Sequence, residues 1–136
     1  QDTIATLVEL SRIGVPPSRV RLLFNMIDEG DELARSFHPL LSFVASHPVA
    51  QADTACRLSE NEIYGRLKTT GMDIAALVRD GTDYKALIAK AADTAEKLAL
   101  AQKLATRRLA NGVLPELDAC FAALHLETVA APLSAV

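Results

Sequence analysis

The feature that most constrains the fold is an apolar run from Val20 to Asp28, which reads V-R-L-L-F-N-M-I-D. It follows a helical segment and the turn Gly14-Val15-Pro16-Pro17, whose prolines prevent the helix from continuing. Residues 19–27 are therefore predicted to form a strand. A strand that is apolar on both faces is typical of a parallel sheet with helices on each side. Helix, tight turn and strand make half of a βαβ crossover, so we expect a preceding strand upstream of residue 1.

Asn25 lies near the downstream end of this predicted strand. In parallel sheets, ligands bind beyond the carboxyl ends of the strands. A side-chain amide offers one acceptor and one donor group, which matches the paired donor and acceptor on an adenine edge. The simpler interpretation is that the asparagine ends a strand and begins a turn. Spacing alone favours the simpler interpretation.

The remaining sequence favours helix, since alanine and leucine dominate and aromatic residues make up only 4%. A chain of 136 residues is too short for two ordinary domains, so residues 1–136 are predicted to form a single α/β domain. A second short strand is a candidate at about 54–58, and residues 127–136 are expected to be a frayed tail. Five to six helices are predicted, over about residues 2–14, 32–46 with an interruption near Pro39, 59–70, 73–79, 83–110 and 114–124.

Local signals set the ends of these helices. Ser59 and Glu62 form the capping box S-E-N-E, and Gly71 ends that helix. Asp73 caps the next short helix. The pattern from Asp83 to Ala110 has no break, and Asn111-Gly112 is the expected stop.

Charge and composition restrict the function. The net charge is −3 and the isoelectric point is near 5.6, so no overall basic field attracts nucleic acid or anionic lipid. No apolar run approaches the roughly 20 residues needed to span a bilayer, and no secretory signal pattern opens the chain. The sequence therefore predicts a cytoplasmic protein without membrane insertion. Cys56 and Cys120 are expected to be reduced, buried thiols.

The sequence offers no catalytic or metal-binding constellation. The histidines and cysteines lack the short spacings that place two ligands on one metal ion, so we assign them structural or surface roles. Neither a G-x-S-x-G elbow nor a G-x-x-x-x-G-K-[ST] loop is present, so this chain alone is predicted not to hydrolyse ATP. Residues 59–79 have the size of a helix-turn-helix, but ordinary helix packing is the favoured interpretation, and sequence-specific DNA binding is not expected. Arg107 and Arg108 have two interpretations: stabilisation of a helix C-terminus, or contact with a nucleotide, DNA or a partner.

Several segments, in order along nearly the whole chain, resemble the plasmid-stability StbB family. This family is a branch of the ParA/MinD-type P-loop ATPases and is related to conjugation-associated TraL proteins. The matching segments are D-T-I-A-T-L at 2–7, G-V-P-P-S-R-V-R-L-L-F-N at 14–25, S-E-N-E-I-Y-G-R-L-K at 59–68, D-G-T-D-Y-K-A-L at 80–87 and R-R-L-A-N-G-V-L-P-E-L-D-A-C-F-A-A-L at 107–124.

The resemblance implies the C-terminal portion of such an ATPase, without its phosphate-binding loop. The complete protein would bind ATP with Mg²⁺, form a homodimer, and engage a partner protein that marks plasmid DNA. In the wider class, the asparagine closing this strand helps to hold adenine, which falls on Asn25. The following position is often basic in relatives but is Met26 here, so that side of the base contact departs from the family pattern. The resemblance gives no chemical role to Glu60-Asn61-Glu62 or to Asp80, Asp83 and Tyr84.

The alternative is a stand-alone helical protein–protein interaction module without nucleotide chemistry. Everything after Asp31 is compatible with it, because that part of the sequence is mostly helical. A glycine-rich loop ending in G-K-[ST] upstream of Gln1 would favour the ATPase, whereas an initiator methionine at that point would favour the module.

Overall fold

A computed structural model describes residues 2–126, so the predicted tail at 127–136 lies outside the described residues. This part of the chain holds seven α-helices and a two-stranded parallel sheet, which is compatible with the α/β class. The elements are α1 Asp2–Arg12, a 3₁₀ turn Pro17–Arg19, β1 Phe24–Ile27, α2 Leu33–Ser36, α3 His38–Ser46, β2 Arg57–Ser59, α4 Glu62–Thr70, α5 Ile74–Arg79, α6 Tyr84–Lys90 and α7 Thr94–Leu124.

The described chain divides into two compact units. The first unit contains residues 2–60 and 116–126, and the second contains residues 61–115. The sheet belongs to the first unit, and α4, α5 and α6 belong to the second.

The sheet is shorter than predicted. β1 begins at Phe24 rather than at residue 19, and Arg19 closes the 3₁₀ turn. Upstream of β1, the extended chain forms only an isolated parallel bridge from Arg21 to Gln51. The regular ladder is interrupted because the partner segment turns at Asp53, whose Oδ1 accepts from the N–H of Ala55 at 2.9 Å. That turn occupies the first half of the predicted strand at 54–58, so β2 begins only at residue 57.

The core of the first unit confirms part of the predicted burial pattern. Phe24 is 1% exposed and meets the ring of Phe37 edge-on at 5.1 Å between centroids. However, Met26 within β1 and Leu23 just before it are exposed, so this apolar run does not bury both of its faces. The buried residues of this core are Leu7, Leu22, Phe24, Ile27, Leu33, Val44 and Ala50. Partly buried side chains of Phe37, Leu40, Leu41 and Phe43 pack against it.

A glycine ends α1, within the range predicted for this helix. Gly14 has a φ of +90°, and the N–H of Val15 reaches back to the carbonyl of Leu10 at 3.0 Å. This is the hydrogen-bond pattern of a Schellman cap, in which glycine adopts the left-handed conformation at little cost. Within α1, Leu7 is buried in the core, whereas its neighbour Val8 is 48% exposed.

Helix starts in the second unit depend on short side-chain acceptors. Asp73 accepts from the N–H of Ala76 at 2.7 Å, which confirms the predicted cap of α5. Asn61, rather than Ser59, caps α4 by accepting from the N–H of Ile63 at 2.9 Å. Ser59 cannot cap this helix because it is the last residue of β2. Gly71 ends α4 with a φ of +66°, as predicted.

The long helix lies further along the chain than predicted. The chain leaves the helix at Ala91, whose ψ is 140°, and α7 starts after Asp93. Asp93 caps the helix by accepting from the N–H of Glu96 at 2.8 Å. Glu96 in turn accepts from the N–H of Ala92, the residue before the cap, at 3.1 Å. The sequence D-T-A-E at 93–96, a capping aspartate three residues before a glutamate, is the local signal for this helix start.

The predicted stop at Asn111-Gly112 is wrong, because α7 continues through both residues and through Pro115 to Leu124. Ala110 and Val113, on either side of the pair, are 0% and 3% exposed. Burial of these side chains outweighs the roughly 1 kcal/mol that glycine costs inside a helix. The separate last helix predicted at 114–124 is therefore the end of α7.

Candidate functional site

Asn25 lies on a β-bulge within β1, two residues before the carboxyl end of that strand. Phe24 pairs with Arg57 and Ile27 pairs with Ser59, so two residues of β1 oppose a single residue of β2. Met26, the second residue in the bulge, has a φ of +56°, which is uncommon for a residue other than glycine and costs about 1 kcal/mol or more. Bulges of this kind redirect side chains and recur beside functional sites.

The Asn25 amide is held by its neighbour and keeps hydrogen-bonding capacity. Its Oδ1 accepts from the N–H of Met26 at 2.8 Å. Within residues 2–126, the Nδ2 group and the second lone pair of Oδ1 have no hydrogen-bond partner. Because Asn25 is exposed, one donor and one acceptor remain available to a ligand, beside the exposed Met26 side chain.

Two carboxylates follow the strands at the same edge. Asp28 comes directly after β1 and Glu60 directly after β2, and the N–H of Glu60 donates to the carbonyl of Ile27 at 3.0 Å. The pKa of Glu60 is raised, chiefly because its carboxyl group shares a hydrogen bond with Asp28 and also because the Asp28 charge repels its own. We call Asn25, Met26, Asp28 and Glu60 the carboxyl-edge cluster.

Glu116, which no sequence motif indicates, fixes the end of β2. Its Oε1 accepts from the Ser59 N–H at 2.6 Å, and its Oε2 accepts from the Ser59 hydroxyl at 3.0 Å. A charged acceptor forms shorter and stronger hydrogen bonds than a neutral one. Fifty-seven residues separate the partners, so no local pattern could have revealed the contact.

The carboxyl-edge cluster suits recognition of a polar ring better than covalent chemistry. It offers an amide and two carboxyl groups but no nucleophile with an adjacent base. These groups fit an adenine edge, whereas the sequence provides no glycine-rich loop to hold phosphates. In the described part of the chain, no three His, Cys, Asp or Glu side chains come together as a metal site.

The Asp80 to Tyr84 segment forms a clamp around Arg107 in the second unit. Tyr84 donates to Asp80 at 2.5 Å, and the Arg107 guanidinium lies 4.7 Å from the Tyr84 ring centroid. The same guanidinium donates to the carbonyls of Asp80 and Thr82 at 3.0 and 2.6 Å. Hydrogen bonds from Thr82 and Tyr84 lower the pKa of Asp80 to about 2.

This clamp corrects the interpretation of Arg107 as a residue that stabilises a helix C-terminus, because α7 ends only at Leu124. Its guanidinium instead donates hydrogen bonds from α7 to the loop before α6.

The Glu60-Asn61-Glu62 segment has mainly local roles. Asn61 caps α4, and Glu62 forms an ion pair with Arg66 at 2.7 Å.

The cysteines are buried, as predicted. Cys56 and Cys120 are 2% and 3% exposed, and neither forms a disulfide within residues 2–126. Burial is the main cause that raises the pKa of both thiols, which makes their reactive thiolate forms scarce. The rings of His47 and Phe43 stack with their centroids 4.8 Å apart, so His47 has a packing role.

Across residues 2–126, every helix is either too short or too polar to cross a bilayer. In comparisons with known proteins, no family model, curated protein or solved structure matched the chain. The geometry of the carboxyl-edge cluster and the resemblance described above are therefore the basis for a functional proposal.

Proposed function

We propose that the chain is the C-terminal part of a P-loop ATPase of the plasmid-stability StbB type, and that Asn25 contacts the adenine base. One observation carries the proposal: an exposed asparagine amide lies on a bulge of a parallel strand, two residues before the carboxyl end of that strand. Ligands of parallel sheets bind at this edge. The Nδ2 donor and the second lone pair of Oδ1 match the acceptor and donor of an adenine edge.

The complete protein would bind ATP with Mg²⁺ in the cytoplasm, form a homodimer, and engage a partner protein that marks plasmid DNA. Hydrolysis would then reset the dimer. In this scheme, this chain supplies the base-binding edge, and a phosphate-binding loop outside it supplies the phosphate contacts. The exposed Met26 side chain would take the place of the basic residue found in relatives and lie against the apolar face of the base.

The test is equilibrium binding of a fluorescent ATP analogue to the longest form expressed from the reading frame, with and without Asn25→Ala. Two neutral hydrogen bonds of about 0.5–1.5 kcal/mol each predict a loss of affinity of about tenfold. The same variant should lose preference for ATP over GTP, because the amide reads the adenine edge.

Asn111→Ala is the matched control, since Asn111 is also an exposed asparagine but lies within α7. Its affinity for the analogue should equal that of the wild type. Unchanged affinity in Asn25→Ala would refute the adenine assignment. We further expect residues 1–136 alone to show no ATPase activity.

The second candidate is a helical protein–protein interaction module without nucleotide chemistry. It is supported by large apolar side chains that α7 leaves exposed, Leu98 at 59% and Phe121 at 60%. Exposed apolar side chains favour a partner, although single ones are common on protein surfaces. Absence of nucleotide binding by the longest form, together with concentration-dependent association that Phe121→Ser weakens, would favour the module over the ATPase.

A further inference from the structure

A cavity of about 650 Å³ opens within the second unit. Pockets that bind small molecules have volumes of about 300–1,000 Å³. α4 lines one side with Arg66, Thr69 and Thr70, which share a helix face because they are three and four positions apart. None of the lining residues belongs to the carboxyl-edge cluster, so the cavity requires its own explanation.

α7 lines the opposite side with residues at the same periodicity, Ala99, Gln102, Lys103 and Thr106. Both sides are therefore faces of regular helices rather than loops. Sites built on helices hold their groups more precisely than sites built on loops.

The remaining lining is mainly apolar. Met72, Leu77 and the Tyr84 ring contribute to it, and Leu77 and Tyr84 are 5% and 9% exposed. The Tyr84 ring is fixed in place by its hydroxyl bond to Asp80 and by the Arg107 guanidinium over one face. A fixed aromatic ring beside aliphatic groups suits an apolar ligand body.

The charged side chains that line the cavity, Arg66 and Lys103, are both cations. Arg66 is oriented by Glu62, which accepts from its Nε at 3.0 Å, and by Thr106, which accepts from its Nη1 at 3.0 Å. Thr106 is 6% exposed and also donates to the Gln102 carbonyl at 2.9 Å, so the anchor is itself buried and fixed. Lys103 has no hydrogen bond or ion pair within residues 2–126.

We propose that this cavity binds a small organic anion, in which a carboxylate, sulfonate or phosphate group is carried on an apolar body. The anionic group meets Lys103 and the remaining N–H donors of Arg66, while the apolar body lies against Leu77 and the Tyr84 ring. A neutral apolar molecule of the same shape binds more weakly, because it leaves the Lys103 ammonium without a partner and adds no acceptor for the remaining donors of Arg66.

The test uses anilinonaphthalene sulfonate as the anionic probe and neutral phenylnaphthylamine as its uncharged counterpart, both followed by fluorescence with the full chain. We expect one saturable site for the sulfonate. Lys103→Met should weaken that binding about fivefold, the magnitude of a partly exposed ion pair of about 1 kcal/mol, and leave the neutral probe unchanged. Lys103 is exposed, so the substitution should not affect folding.

Lys97→Met is the matched control, because Lys97 is an exposed lysine of α7 outside the cavity. A second variant, Ala99→Phe, places a ring in the cavity and should abolish binding of both probes. Equal sulfonate affinity in Lys103→Met and Lys97→Met would overturn the proposal. So would sulfonate binding that survives Ala99→Phe, or neutral-probe binding as tight as that of the sulfonate.

Discussion

The contact between Glu116 and Ser59 predicts a measurable loss of stability when the carboxylate is removed. Glu116→Ala deletes two hydrogen bonds, of 2.6 and 3.0 Å, at the carboxyl end of β2. Each hydrogen bond to a charged group contributes about 1.5–3 kcal/mol. Because Glu116 is only partly buried, water can replace the lost acceptor in part, and we expect a total cost of about 2–4 kcal/mol.

Glu116→Gln separates the two contributions. Its amide oxygen can still accept from the Ser59 N–H, and its NH₂ group can donate to the Ser59 hydroxyl oxygen. Only the charge is lost, so we expect a cost of about 1 kcal/mol, between wild type and Glu116→Ala.

The assay is urea unfolding followed by far-ultraviolet circular dichroism, since the chain has no tryptophan. The comparison requires equal slopes with urea concentration, which indicate that both proteins unfold by the same transition. Asp118→Ala is the matched control, because Asp118 is an exposed carboxylate two positions further along α7. If Glu116→Ala and Asp118→Ala agree within about 0.5 kcal/mol, the reasoning from this contact is refuted.

Two further predictions concern the second unit. Gly112→Ala should stabilise the protein by about 0.5–1 kcal/mol in urea unfolding, since α7 is helical there and open space surrounds the added methyl group. By contrast, Gly71→Ala, at a φ of +66°, should destabilise the protein by about 1 kcal/mol. If Gly112→Ala also destabilised the protein, a helix stop at Asn111-Gly112 would be indicated. Asp80 has a folded pKa of about 2, below its ordinary 3.8, so its stabilising contribution is present above pH 3.8 and is lost as the pH falls towards about 2. Urea midpoints should therefore fall more steeply over that range in wild type than in Asp80→Asn, and parallel curves would contradict the proposed role of the Thr82 and Tyr84 hydrogen bonds.

The carboxyl-edge cluster could be predicted only in part. The strand signal and Asn25 are local, and they predict an asparagine near the downstream end of a strand over residues 19–27. In the structure Asn25 is instead the second of the four residues of β1. The bulge at Met26 could not be predicted, because it depends on how many residues of β2 oppose β1. The role of Glu116 could not be predicted either, because its partner Ser59 lies 57 residues away in the sequence.

The sequence by itself determined the boundaries that depend on neighbouring residues. Gly14 and Gly71 end helices and Asp73 starts one, since each acts through its own backbone conformation or through a hydrogen bond to a residue three positions away. Tertiary structure decided the rest. Burial of Ala110 and Val113 carried α7 through Asn111-Gly112, and the turn at Asp53 shortened the sheet. A helix cap is stabilised by hydrogen bonds to residues within one turn of it. Helix continuity and strand pairing depend instead on distant residues that only folding brings into contact.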